Sequence, residues 1–288
     1  HVRVALSGDG GDDIFLGYDR HRIIQWLPKL QRMPKEQWEF LADFLPGGGN
    51  PKSKLSRLRR IAMMMEGDGY KELVAIFPRM MLNQLGVGDD GGFCHWGFTA
   101  DFNELWARRF DAIFYLPEDI LRKSDSASMA ASLEVRAPFL ARSVAQPALN
   151  TQLDVLMPNN ERKGLLKQVA RKYLPDHIVD RPKQGFAIPI GKWFRDDCGG
   201  LRQLLYDHLE SADPFPGLGD ADVEISMGFV RQMLREHDAA GEKSINPWHG
   251  RDHSQRLYML LVLSIWAKWL DGLRRGGNEN PSHGRGAG

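Results

Sequence analysis

The sequence is poor in the residues that announce several common functions. Only two of its 288 residues are cysteine. Cys94 and Cys198 match no metal spacing and cannot build a disulfide framework, so a reducing, cytoplasmic location is expected. No charge of one sign dominates. Lys and Arg number 38 against 37 Asp and Glu, which argues against the basic footprint of a nucleic-acid or membrane-surface protein. Long apolar runs are missing as well: the most apolar stretch, Leu257 to Ala267, is too short to span a bilayer and predicts a buried helix. No signal peptide is visible. A dinucleotide fingerprint and a Walker A loop are both absent, and no Ser-His-Asp order stands out. His249 and His253 stand four apart, but no carboxylate is placed for a zinc motif, so they read as structural or exposed.

What is present is ordinary globular material, 42% hydrophobic and 26% charged, enough for one or two domains. Val2 to Leu6 predicts a short buried strand followed by a Gly/Asp loop. A chain that opens inside a strand suggests a piece of something longer, with the strand's sheet neighbours upstream. Helices are expected from Asp13 to Trp26, Pro34 to Phe44, Lys52 to Met65, Tyr70 to Ile76 and Asp101 to Phe110. A further helix should open at Leu116-Pro117-Glu118-Asp119, with proline in its first turn, and run to Leu133. Its small-residue half, Ala127 to Ser132, suits close packing against a neighbour. Glu134 to Phe139 reads as extended or turning, Arg162 to Tyr173 as helical, and Arg181 to Ile190 as a loop. Helices follow near 201–210, 221–237 and 252–272. Residues 86–98 read as a glycine-rich loop and 276–288 as a disordered tail. Lys52 to Arg60 is basic without interleaved aromatics, a solvated helix face. Trp26, Trp38, Trp193 and Trp266 read as core rather than cofactor contacts.

The stretch SGDGGDD, residues 7–13, combines glycines that let a backbone approach phosphates with aspartates that repel them. A divalent cation between loop and phosphate resolves the conflict. Mg²⁺ takes one or two carboxylates and fills its shell with phosphate oxygens and water. A strand, a Gly-rich turn and a helix also form the α/β placement for a ligand at the carboxyl ends of strands. The competing interpretation is a solvated aspartate turn or a Ca²⁺ site, although the loop is too short for an EF-hand. Two further constellations carry charge in apolar company. Lys123 and Asp125 precede Glu134 and Arg136, which share one face if extended. They form either a structural ion-pair network or a polar pocket for a zwitterionic or carboxylate substrate. Arg181-Pro182-Lys183-Gln184-Gly185-Phe186 presents Lys183 on a loop of defined shape, with Lys163 twenty residues earlier. A lysine held there can meet a developing phosphate charge, or it is simply a surface lysine.

VALSGDGGDDIFLGYDRHR, LPEDILRKSDSASMAASLEVRAPFL and LPDHIVDRPKQGFAIPIGKWF, in this order and spacing, resemble the synthetase domain of glutamine-hydrolysing asparagine synthetases. The resemblance spans roughly residues 2–200 and continues weakly to 252–272. It implies an α/β fold, predominantly helical in this segment: an adenine-nucleotide α-hydrolase-like (ATP pyrophosphatase) parallel sheet surrounded by helices. The first part of that sheet would lie upstream, and residues 1–275 would be the C-terminal part of the synthetase domain. It implies adenylation of aspartate to β-aspartyl-AMP with loss of pyrophosphate. Ammonia from glutamine, delivered by an upstream glutaminase domain, would then displace AMP. By resemblance Leu6, Ser7 and Gly8 contact ATP, Asp12 holds Mg²⁺, and Asp9 takes the acidic position tied to forming the acyl-adenylate. Lys183 is the lysine that stabilises the adenylation transition state, Lys163 a second lysine near the phosphates. Lys123, Asp125, Glu134 and Arg136 match pocket-forming or supporting positions. The chain departs from the family pattern at Asp13 (usually Glu), Leu16 (usually Gly), Ser126 (often Arg) and Ala141 (often Asp). The family's SGG-x-DS phosphate loop and N-terminal cysteine do not occur in it. Two alternatives remain: the same adenylation chemistry on another acid, as in β-lactam or lasso-peptide closure or amidation of a specialised metabolite, and a non-catalytic interaction domain. A homodimer is also open.

Overall fold

The computed structural model describes residues 2–45, 54–66, 70–88, 104–182, 188–219, 223–240 and 252–276. Lys183 to Phe186, Cys94, His249, Asp101 and the tail from residue 277 lie outside the described residues, as do residues 89–98 of the glycine-rich stretch. The chain divides into two compact units. The first takes in His1–Gln37, Gly69–Leu73 and Thr99–Gly185, and the second the remainder.

The first unit holds a small parallel sheet. Strand β1, Val4–Leu6, pairs with strand β2, Glu134–Arg136, in the register Val4 to Glu134, Ala5 to Val135 and Leu6 to Arg136. Flanking bonds from Glu134 N–H to the Arg3 carbonyl (3.0 Å) and from Ser7 N–H to the Arg136 carbonyl (2.8 Å) extend the ladder. The expected lone strand therefore has a neighbour within this chain, reached by the long crossover that parallel pairing requires. The expectation of a buried strand fails: Val4 is 49% and Leu6 76% exposed. Their side chains alternate with that of half-buried Ala5 and stand on a face that no described element covers.

The crossover ends in one continuous helical run, not in two helices with a start at Leu116. Glu104–Phe110 passes into a π-helical segment, Asp111–Leu121, and then into Arg122–Ala130. Pro117 sits inside the π-helical segment and not in a first turn. The wider turn, seen where Arg122 N–H bonds to the Pro117 carbonyl, accommodates a residue that would break an α-helix. Ala127 to Ser132 is largely exposed among the described residues, with none of them closely packed over it. Asp13 to Trp26 is also not one helix. It breaks into short turns, Gly11–Ile14 and His21–Ile24, followed by Leu27–Leu30 with Pro28 near its start. The break falls at Leu16, whose φ of 61° is left-handed and costs a branched residue about 1–2 kcal/mol. Full burial of the Leu16 side chain offsets that strain. A helix not expected from the sequence, Arg142–Asn150, carries Pro147 within it.

The second unit is a helical core. Arg79–Leu85, Ile190–Arg195, Leu201–Leu209, Met227–Ala239 and Ser254–Gly276 bury Met81, Phe194, Leu205, Met233 and Leu257 together. The apolar run at 257–267 proves amphipathic: Leu257, Leu260, Leu261 and Ala267 are buried, whereas Tyr258, Val262 and Trp266 are 47–48% exposed. Trp38 is core, but Trp26 and Trp266 are not. His253 is buried against the Glu236 carboxylate at 2.8 Å, a structural role. No helix among the described residues is long and apolar enough to cross a membrane.

Candidate active site

The acidic loop begins where β1 ends. Ser7 accepts a bond from Asp9 N–H (3.3 Å) and donates its hydroxyl to Asp9 Oδ2 (3.0 Å), so the chain turns sharply out of the sheet. Ser124 Oγ donates to the same oxygen at 3.0 Å, which ties the loop to the helix Arg122–Ala130. Asp9 thus opens onto a cleft of about 380 Å³ lined also by Leu121, Arg122, Ser124, Asp125, Val135 and Ala137. Gly10 then takes φ 81°, and a β-carbon there would collide with Leu140. Only glycine lets the chain make this turn at no steric cost.

Asp12 and Asp13, neighbours in sequence, face different surroundings. Asp12 is partly exposed and pairs with Lys163, Oδ1 to Nζ at 2.9 Å. Lys163 adopts φ 54° immediately before the helix Gly164–Ala170, which begins there instead of at Arg162. Its left-handed backbone is the kind of strain that well-packed sites retain. Gly17 lies directly against the pair: a β-carbon would overlap both the Asp12 carboxylate and the Lys163 side chain. Asp13 is buried and accepts a bond from the Tyr18 hydroxyl (3.2 Å). Burial, together with the nearby Asp111 carboxylate, pushes its carboxyl up to about 6.

Behind the loop lies a buried polar cluster that sequence reading did not anticipate. Asp111, fully buried at the start of the π-helical segment, accepts from Tyr70 OH (2.7 Å), Arg20 Nη2 (3.2 Å) and His21 Nε2 (2.6 Å). The Arg20 guanidinium lies over the rings of Tyr18 (3.9 Å) and Tyr115 (4.4 Å). The only sequence signal for Asp111 is a lone carboxylate in the apolar run FDAIFYL.

The structure brings together some of the expected residues and separates others. Leu6 ends β1 and Ser7 and Gly8 follow it into the loop, Asp9 and Asp125 line one cleft, and Asp12 meets Lys163. Lys123 turns to Asp119 at 3.5 Å on an exposed face. Glu134 and Arg136 pair with each other on the face of β2 opposite Val135, which lines the cleft. Lys183 lies outside the described residues.

The donor set on the loop is all oxygen, with carboxylates at Asp9 and Asp12 and a hydroxyl at Ser7, which suits a hard cation. Among the described residues no group of three or more His, Cys, Asp or Glu is placed to hold a metal ion. One or two carboxylates, the remaining ligands coming from phosphate and water, is what Mg²⁺ asks of a nucleotide site. The donors on the loop are of the kind that Mg²⁺ takes.

The model of the family described as asparagine synthase matches residues 1–270. Asparagine synthetase (glutamine-hydrolyzing) 1 of Bacillus subtilis is 28% identical over 280 residues, covering 92% of this chain and 40% of that protein. A putative asparagine synthetase (glutamine-hydrolyzing) of Mycobacterium bovis is 29% identical over 277 residues, covering 92% and 39%. Amidase chyE of Penicillium rubens is 21% identical over 277 residues, covering 83% and 39%. The chain thus spans about 40% of the length of these relatives. The comparison with solved structures gave no match.

Proposed function

We propose, from the premise that this chain belongs to the asparagine synthase family, that it is the nucleotide-handling part of an ATP-dependent amide ligase. Its fold would be of the ATP pyrophosphatase type, and residues 1–275 would make up the synthetase portion. The observation that carries this reading is the ion pair of Asp12 with Lys163 on the loop that also holds Asp9. Here a carboxylate and an ammonium, both partly exposed, converge beside the end of a parallel strand, where α/β folds bind nucleotides.

In this reading Ser7 and Gly8 meet the phosphates of ATP, and Asp12, with Asp9 close in sequence, holds Mg²⁺. When bound, the metal supplies positive charge against the triphosphate. Lys163 and Lys183 add fixed positive charge where the carboxylate of aspartate attacks the α-phosphorus. The bond formed is carboxyl oxygen to phosphorus, the bond broken is that to the bridging oxygen, and pyrophosphate leaves. Ammonia then displaces AMP from β-aspartyl-AMP to give asparagine. Asp125, in the cleft with Asp9, is the placed candidate for the amino-acid pocket. Lys123, Glu134 and Arg136 would support it from outside. In the whole protein further strands would continue the sheet beside β1, and other elements would cover the apolar face that exposed Val4 and Leu6 offer. A glutaminase domain would supply the ammonia.

In the full-length protein, Lys163→Ala and Lys183→Ala should each abolish aspartate-dependent pyrophosphate release and leave glutamine hydrolysis intact. Near-normal synthesis by either variant sinks the assignment. A second reading, the same chemistry on a different acid, is favoured by the similarity to Amidase chyE and by Ser126 and Ala141. Pyrophosphate release that ignores aspartate but responds to another carboxylic acid would select it.

A further inference from the structure

The polar groups behind the loop form a connected path. Asp111 Oδ2 accepts from His21 Nε2 at 2.6 Å. The other ring nitrogen of His21, Nδ1, accepts from the backbone N–H of Tyr18 at 3.3 Å. A ring nitrogen that accepts carries no proton, so His21 is the neutral tautomer with hydrogen on Nε2. Burial lowers the His21 pKa and agrees with this state. His21 is therefore a rigid spacer between a buried carboxylate and the backbone of the acidic loop. Its own N–H returns to the Tyr18 carbonyl (3.1 Å), and Gly17 N–H bonds to the Asp12 carbonyl (2.7 Å). The Arg20 guanidinium is held along its edge by Asp111 and Tyr70 and across its faces by the Tyr18 and Tyr115 rings. Every bond in the path is local to residues 12–21 except those that end on Tyr70, Tyr115 and Asp111.

We infer that Asp111 is the positioning residue of the nucleotide loop: from the π-helical segment it fixes Arg20 and His21, and through them the backbone that presents Asp12 to Lys163. The path runs through a charged acceptor that takes three donors at once. A neutral amide of the same shape accepts less well and turns an N–H toward Arg20 or Tyr70. The π-helical segment, with its unusual widening at Asp111–Leu121, is where this carboxylate enters the core. Such segments recur at functional positions.

The inference rests on the nucleotide reading above, and its test separates the two. Affinity for ATP is measured by calorimetry in the full-length protein, with and without Mg²⁺, alongside affinity for AMP. Asp111→Asn is expected to weaken Mg²⁺-ATP binding at least tenfold, to remove most of the gain from Mg²⁺, and to leave AMP affinity within about twofold. A merely structural role would weaken AMP and ATP alike. Leu156→Ala, a truncation of a fully buried side chain in the same unit, supplies the stability control: it should lower the melting temperature but keep the Mg²⁺ gain. Should Asp111→Asn not fold, Tyr70→Phe removes one donor to Asp111 at constant shape, and a graded loss of about threefold in Mg²⁺-ATP affinity is expected. The inference is overturned if the folded Asp111→Asn protein (or Tyr70→Phe in its place) keeps the full Mg²⁺ gain, or if Leu156→Ala loses it equally. Wild-type protein that binds Mg²⁺-ATP but releases no pyrophosphate with aspartate would sink the substrate reading and leave this test intact. Wild-type protein that binds no ATP would overturn both.

Discussion

Gly17→Ala isolates geometry from stability at the proposed site. The added β-carbon would sit inside the Asp12 carboxylate and against the Lys163 side chain. To reach van der Waals separation the carboxylate must retreat by on the order of 1 Å or more. Both clashing groups are ends of side chains rather than backbone, so they can move. Gly17 is not in the left-handed region, and alanine brings no backbone strain there. The stability change is the loss of a partly exposed ion pair, about 0–1 kcal/mol, set against a gain of roughly 0.4–1 kcal/mol from a less flexible unfolded chain. The net is near zero. Function should respond differently, because a displacement of about 1 Å at a charged group of a reacting centre costs roughly 10²-fold in rate. The assay is aspartate-dependent pyrophosphate release by the full-length protein, with thermal melting on the same sample. The expected result is an unchanged melting temperature with pyrophosphate release reduced about a hundredfold. Wild-type turnover in a folded Gly17→Ala protein would refute the claim that the Asp12–Lys163 geometry matters.

Other outcomes follow from buried groups. Asp13 is neutral in the folded protein more readily than in the unfolded chain, with its carboxyl at about 6 against 3.8. Its stabilising share is therefore present below about pH 4 and lost as pH rises through about 6. Asp13→Asn should raise stability at pH 8 by up to about 2–3 kcal/mol relative to wild type, by roughly half as much at pH 5 and by little below about pH 4, a difference read by denaturant melts across that range. Arg108 is buried and donates to the carbonyls of Ala148 (2.6 Å) and Thr151 (2.7 Å) at the end of the helix Arg142–Asn150. Arg108→Met takes the side-chain donor from both carbonyls and leaves that of Ala148 only its bond from Thr151 N–H (3.1 Å); it should cost roughly 1–3 kcal/mol, and an unchanged melt would show that water replaces it. Leu16→Gly relieves the left-handed backbone but empties a fully buried site. The cavity should win, giving a net loss of about 1–3 kcal/mol, and a stabilised variant would reverse that ranking.

The divergence of Asp12 and Asp13 illustrates how far sequence could reach. Both belong to the same acidic run, and nothing local tells one from the other. Their roles part only because residue 12 faces Lys163, about 150 positions along the chain, whereas residue 13 faces Tyr18 and the Asp111 carboxylate. Likewise, Ser124 could not be singled out in a stretch of small polar residues until the helix carrying it was set against Asp9. Wrong expectations have the same origin. Pro117 looked like a helix start because proline ends α-helices, and a π-helical turn tolerates it. The 257–267 run looked buried because composition alone does not say which face meets the core.

By itself the sequence determined the chemistry on offer: glycines for a tight turn, oxygen donors for a hard cation, lysines for phosphate, and the family to which these motifs belong. Those are properties of residue type and short spacing, which the linear chain carries in full. Tertiary structure decided which of these groups meet. It gave β1 its partner at Glu134–Arg136, paired Asp12 with Lys163, turned Glu134 and Arg136 away from the cleft, and placed Asp111 beneath the loop. Such meetings depend on contacts between segments far apart in the chain, and they are held most firmly where packing excludes water, as it does at Asp111.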